Sequence, residues 1–228
     1  MTTSRILSYG ALGLPLAFAA LPIYVHVPRF YADIAGMELA VLGTILLGAR
    51  LLDAGIDPWL GWLADRLPRR AMLAVSLLPF ALGFVALLNP PAQFSALWLL
   101  ASLTLTYLGF SAASVAYQAW GAAIGTDSAQ RTRLTAAREG YGLIGVVLAA
   151  ALPTFLASDL NAGIARLAWI LPPLLLIAAA ILMPFVKCLD LSEMKVFRAS
   201  FEVAGAGALF FAFGGFDIMA YVVYHTVK

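Results

Sequence analysis

Leu39–Ala64 reads LAVLGTILLGARLLDAGIDPWLGWLA, an apolar stretch longer than the roughly 20 residues a helix needs to cross hydrocarbon. Two carboxylates, Asp53 and Asp57, stand in the middle of it. At the centre of a membrane helix each costs roughly 2.5 to 3.5 kcal/mol on insertion scales, so the pair calls for a compensating partner, and a cation is the natural one. A spacing of four residues puts both carboxylates on one helical face, and Arg50, three residues before Asp53, joins the same stripe. That charged face is expected to look inward, away from lipid.

The rest of the chain has the same character. Of its 228 residues, 63% are hydrophobic and 11% charged, against roughly 45 to 50% apolar and 25% charged in a soluble domain. Mean hydropathy is +0.93, and the class that fits is an integral membrane protein. Five further stretches are near or above spanning length: Ile6–Val27, Ala71–Leu88, Phe94–Ile124, Tyr141–Ala157 and Ala165–Val186. A seventh, Val203–Tyr224, closes the chain. Helices are the expected element, because open strands in lipid leave backbone groups unpaired and barrel strands are far shorter than these runs.

Positive residues set the orientation. Arg5, Arg66, Arg69, Arg70, Arg131, Arg133, Arg138, Lys187, Lys195 and Arg198 fall on the side shared by the N-terminus and the even connections; only Arg29 and Arg166 fall opposite. The N-terminus is therefore expected to be cytoplasmic, in a multi-pass inner or plasma membrane, with Lys228 outside. This topology accounts for the formal net charge of +2, so no nucleic-acid partner is implied. Arg5 followed by an apolar run and Ala17-Phe18-Ala19 imitates a signal peptide, but the run continues to Val27 and more spans follow, which favours a first span. Cys188 is the only cysteine, so no intrachain disulfide is expected.

Short breakers separate the spans. Asn89-Pro90-Pro91-Ala92-Gln93 lies between spans three and four, Asn161-Ala162-Gly163 marks a turn between five and six, and the polar stretch Gly125–Glu139 reads as a cytoplasmic connection. Pro15 and Pro22, after Gly10 and Gly13, are expected to bend or break span one, and Pro28 to help end it.

Three constellations carry possible chemistry. Asp53 and Asp57 can supply oxygens to a sodium ion or take up a proton, with Arg50 tuning them and Pro58 freeing the Ala54 carbonyl as a candidate extra ligand; alternatively Arg50 and Asp53 form a plain intrahelical pair and Asp57 faces the cytoplasmic vestibule. Asp65, Arg66, Arg69 and Arg70 form a tight cytoplasmic loop that reads either as positive-inside anchoring or as a salt-bridged gate. In span four, Thr104, Tyr107, Ser111, Ser114 and Gln118 recur at helical spacing as one polar stripe, suited to interhelical hydrogen bonds or to a substrate path. Tyr117 and Trp120 read as extensions of that helix or interfacial anchors, His26 as a solvated histidine with no ligand role, and Asp217 as an intramembrane acid without a nameable partner. No credible nucleophile and base pair is present, so no enzyme and no cofactor is expected beyond a coupling Na+ or H+.

The pattern Arg50-x-x-Asp53-Ala54-x-x-Asp57-Pro58-x-x-Gly61, with Gly61-x-x-Ala64-Asp65-Arg66 after it, resembles the second helix of the glycoside-pentoside-hexuronide cation symporters of the major facilitator superfamily. Ser8-Tyr9-Gly10, Phe30-Tyr31-Ala32-Asp33 and Arg131-Thr132-Arg133-Leu134 extend the likeness over about the first 150 residues. The resemblance implies an all-α six-helix N-terminal bundle over residues 1–187 with a three-plus-three inverted repeat, then a cytoplasmic linker over 188–202 and a seventh transmembrane helix over 203–228. It also implies that Asp53 and Asp57 bind the coupling ion. The positions matching the sugar-binding carboxylates of the melibiose permease are Ala17 and Ser114, which argues against a galactoside-like site. Superfamily members usually carry about twelve helices, so the expectation is a half-length or truncated cation-coupled solute transporter working by alternating access. The alternative is a non-transporting accessory subunit of a larger membrane complex; a lipid or drug exporter is a third reading.

Overall fold

A computed structural model of the chain describes residues 2–35, 37–91 and 95–186, and all the regular structure among them is helical. The elements are α1 (Thr3–Gly10), α2 (Gly13–Leu21), α3 (Val27–Ala35), α4 (Leu39–Arg66), α5 (Arg69–Leu88), α6 (Ala96–Ile124), α7 (Ser128–Leu156), α8 (Leu160–Ala168) and α9 (Leu171–Val186). They make six stretches long and apolar enough to cross a membrane: α1 to α3 together, α4, α5, α6, α7, and α8 with α9. The linker over 188–202 and the seventh span, with Cys188 and Asp217, lie outside the described residues.

Span one breaks where its glycines and prolines stand. The α-helix stops at Gly10, resumes at Gly13, and passes through a π-helical turn over Pro22–His26 before α3. The π turn closes through Val27 N–H to the Pro22 carbonyl, and Pro28 comes next, without an N–H of its own to donate. Pro28 does not end the span: its fixed φ suits the first turn of α3, which runs on to Ala35.

Two other expectations about connections are corrected. Gly125–Glu139 is mostly helix, because Asp127 caps Gln130 N–H at 2.7 Å and the following run is rich in good helix formers. Only Gly125, Thr126 and Asp127 remain as the connection, braced by Arg131 Nε donating to the Gly125 carbonyl at 3.1 Å. Asn161-Ala162-Gly163 is likewise inside α8, capped by Asp159 accepting from Ala162 N–H at 2.9 Å. Gly163 is there for close packing, since a Cβ would strike the carbonyl of Pro153 on α7.

The bundle is held at close range. α5 packs along α6, α2 along α7, and α4 along α6. A Cβ on Gly109 would meet the backbone of Phe80, and one on Gly145 the backbone of Leu14, so both helix pairs approach to backbone contact. Side chains reach the last carbonyls of α5: Trp98 Nε1 donates to Ala86 and Tyr31 Oη to Leu87, at 3.2 and 2.8 Å, and Asn89 Nδ2 joins its own backbone N–H on Val85, at 3.1 Å.

Tyr117 and Trp120 are core residues, not interfacial anchors: they are only 1% and 3% exposed. Tyr9 and Tyr117 stack at 4.6 Å and exchange hydrogen bonds, Tyr117 Oη to the Tyr9 carbonyl at 2.7 Å and Tyr9 Oη to the Tyr117 carbonyl at 3.2 Å. The Tyr9 carbonyl sits beside the break at Ala11 and Leu12, so Tyr117 replaces a helical donor there. Tyr117→Phe is expected to destabilise the bundle by about 1 to 2 kcal/mol, above the ~0.6 kcal/mol average for membrane-helix hydrogen bonds, because a buried carbonyl loses its partner. Thermal unfolding in detergent reads the difference.

Candidate functional site

α4 carries Arg50, Asp53 and Asp57 on the face it turns towards α6 and span one. Ser111 Oγ, from the middle of the polar stripe on α6, donates to Asp53 Oδ1 at 2.8 Å. Arg50 Nη1 lies 3.5 Å from Asp53 Oδ2, and the Asp53 side chain is only 11% exposed while Arg50 is 41% exposed. The Arg50 guanidinium is also flanked by two rings, its carbon 4.5 Å from the centroid of Tyr24 and 4.5 Å from that of Tyr107. Spans one, two and four thus converge on one arginine and one carboxylate.

Asp57 lies one helical turn beyond, and its Oδ1 is buried with no hydrogen-bond partner. A buried carboxylate oxygen left without a donor is costly, and it is a position that a cation relieves. With both carboxylates ionised, one guanidinium leaves one negative charge uncompensated. Pro58 removes the donor that would hold the Ala54 carbonyl inside α4. The oxygens gathered on this face are those of Asp53 and Asp57, with Ser111 Oγ bonded to Asp53.

The remaining expected residues are placed unevenly. Tyr107 is buried, Ser114 half-buried and Gln118 exposed; Thr104 Oγ1 is buried without a partner. Of the four-residue cluster at the end of α4, Arg66 lies over the Trp62 ring at 3.9 Å, while the side chains of Asp65, Arg69 and Arg70 fall outside the described residues. Ala17 lies opposite Gly142 of α7, where an added Cβ would come within 3.4 Å of its methyl group.

His26 is not the solvated histidine expected, for its Nε2 is buried without a partner in the π turn. Tyr24 is the residue the sequence did not flag for the site. Its contact joins two spans, and no local spacing signals such a pairing.

The chain is 30% identical over 149 residues to the inner membrane symporter YicJ of Escherichia coli, covering 60% of this chain and 32% of that protein. It is 28% identical over 151 residues to the uncharacterized symporter YnaJ of Bacillus subtilis, covering 61% and 32%. It is also 28% identical over 142 residues to YagG of Escherichia coli, provisionally named a glycoside/cation symporter, covering 59% and 31%. The aligned region spans about a third of the length of these curated relatives. These relatives are named symporters, and six apolar helices make this chain an integral membrane protein. With residues 6–189 matching the profile of the MFS/sugar transport protein family, the chain belongs to that family of the major facilitator superfamily.

Proposed function

We propose that this bundle is the cation-binding half of a solute transporter that works by alternating access, with Na+ or H+ as the coupling ion. The observation that carries the reading is the unpartnered, buried Oδ1 of Asp57, one turn from an Asp53 carboxylate that accepts from Ser111 and has Arg50 3.5 Å away. Asp53 and Asp57 receive the ion and Arg50 sets the charge balance in its absence. Tyr107, Ser111, Ser114 and Gln118 line the solute path. Arg66, with Asp65, Arg69 and Arg70, closes the cytoplasmic end, the N-terminus being on that side. A solute completes the cavity with the other half of the permease, in the same or another chain, and rigid-body rocking of the two exchanges access.

The test is cation-dependent transport. Proteoliposomes carrying the full-length assembly take up solute faster under an inward sodium or proton gradient, and the ion that drives uptake is the one that binds Asp53 and Asp57. Uptake indifferent to both gradients contradicts the coupling.

A second reading, an accessory subunit without transport, draws on one feature of α4. Gly43, Gly48 and Gly55 have open space where a Cβ would stand, and small residues let a neighbouring helix approach closely. Purification in mild detergent separates the two: an isolated chain or permease that binds the ion favours transport, whereas obligate co-purification with non-transporting membrane chains favours the subunit.

A further inference from the structure

We infer that Tyr24 and Tyr107 are positioning residues for the cation site: their rings hold the Arg50 guanidinium off Asp53, so that the carboxylate stays available to the coupling ion. The inference rests on the cation-coupled reading above and adds to it two residues from outside the charged helix.

Arg50 and Asp53 stand three residues apart on one helix, a spacing that puts the two side chains within reach of a close ion pair. Their contact is long, Nη1 to Oδ2 at 3.5 Å, where a charge-assisted hydrogen bond runs about 2.7 to 2.9 Å. The guanidinium lies against two aromatic rings, at 4.5 Å from each centroid, well inside the range in which a ring face attracts a cation. Arginine suits this role, since its planar group can stack on a ring while its donors point out in the plane.

The rings come from separate spans, Tyr24 from the π turn of span one and Tyr107 from α6. Together they anchor the guanidinium from outside α4, while Ser111 keeps the other Asp53 oxygen in a 2.8 Å hydrogen bond. Without one ring, the guanidinium is free to close on Asp53 as a two-pronged pair. An entering cation then has to displace it, so affinity falls.

The probe is sodium ion alone, titrated calorimetrically into the full chain purified in mild detergent. Tyr107→Leu and Tyr24→Leu each weaken sodium binding about tenfold, whereas Tyr107→Phe, which keeps the ring, binds as the wild type does. Arg50→Gln removes the competitor, and in that background Tyr107→Leu has no further effect. General damage to packing would persist without Arg50, so this cycle isolates positioning. The half-buried Tyr24 gives an independent variant if Tyr107→Leu does not fold.

Leucine variants that bind sodium as tightly as the wild type overturn the inference. So does a Tyr107→Phe variant as weak as Tyr107→Leu, or a tenfold loss that survives in Arg50→Gln. A wild type showing no sodium heat that Asp53→Asn with Asp57→Asn removes overturns the sodium reading itself, and this inference with it.

Discussion

Asp57→Asn, alone or with Asp53→Asn, is expected to abolish the thermal stabilisation that sodium gives the purified chain. Two unit charges about 4 Å apart interact by about 4 kcal/mol at an effective dielectric of 20. Losing one carboxylate from a two-carboxylate site therefore weakens binding by about a thousandfold, less whatever desolvation of that carboxylate had cost. Ion at about a hundred times its Kd stabilises the native state by about 2.7 kcal/mol, and that increment disappears in the variants. In sodium-free buffer Asp57→Asn melts no lower than wild type, since it removes a buried charge that has no partner on one oxygen. This pairing separates a lost ligand from a lost fold. A double variant that keeps the full sodium-dependent rise in Tm contradicts the assignment of the site.

Gly145→Val carries the largest expected effect on stability. α7 meets α2 closely at Gly142 and Gly145, and much of the helix elsewhere is exposed. A Cβ at Gly145 alone would strike the Leu14 carbonyl and lie 3.0 Å from Phe18 N. Backbone cannot yield as a flexible side chain does, so the whole helix must move out. Gly145→Ala should cost about 1 to 3 kcal/mol, and the branched valine more than about 3 kcal/mol, enough to deplete folded protein. Gly140, on the same helix with nothing within 4 Å, is the control: Gly140→Ala stays within about 0.5 kcal/mol of wild type. Yield of monodisperse protein in detergent and Tm read both. Equal behaviour of the two positions would mean the α2 and α7 backbones do not touch.

Six of the expected spans and the helical class of the described residues were legible because hydropathy over a window is insensitive to detail. Polarity misled where it stood in for conformation. Arg131, Arg133, Arg138 and Glu139 look like loop and sit on helix, since charge governs which side of the membrane a segment occupies and not whether its backbone coils. Gly163 misled for a related reason: glycine serves turns and close approaches alike, and only the neighbour, Pro153, tells which.

At the candidate site, the acidic pair and the stripe on α6 were each visible from helical spacing. That they meet, through Ser111 and Asp53, is a tertiary fact between residues 58 positions apart. Tyr24 and the buried Nε2 of His26 left no mark in sequence, because their surroundings come from other spans.

The π turn at Pro22–His26 makes the chain one residue longer there than an unbroken α-helix would be. An extra residue swings all that follows by about 100° around the axis. Phe30 and Tyr31 owe their inward aim to that offset, whereas Tyr9 through Leu21 do not. Excising a single residue from the turn would let it relax into ordinary helix and rotate the C-terminal third of the span away from the bundle, undocking Tyr31 from Leu87 while the opposite end stayed seated. Length at this one point thus acts as a register pin, more sensitive to indels than to the identity of the side chains it carries.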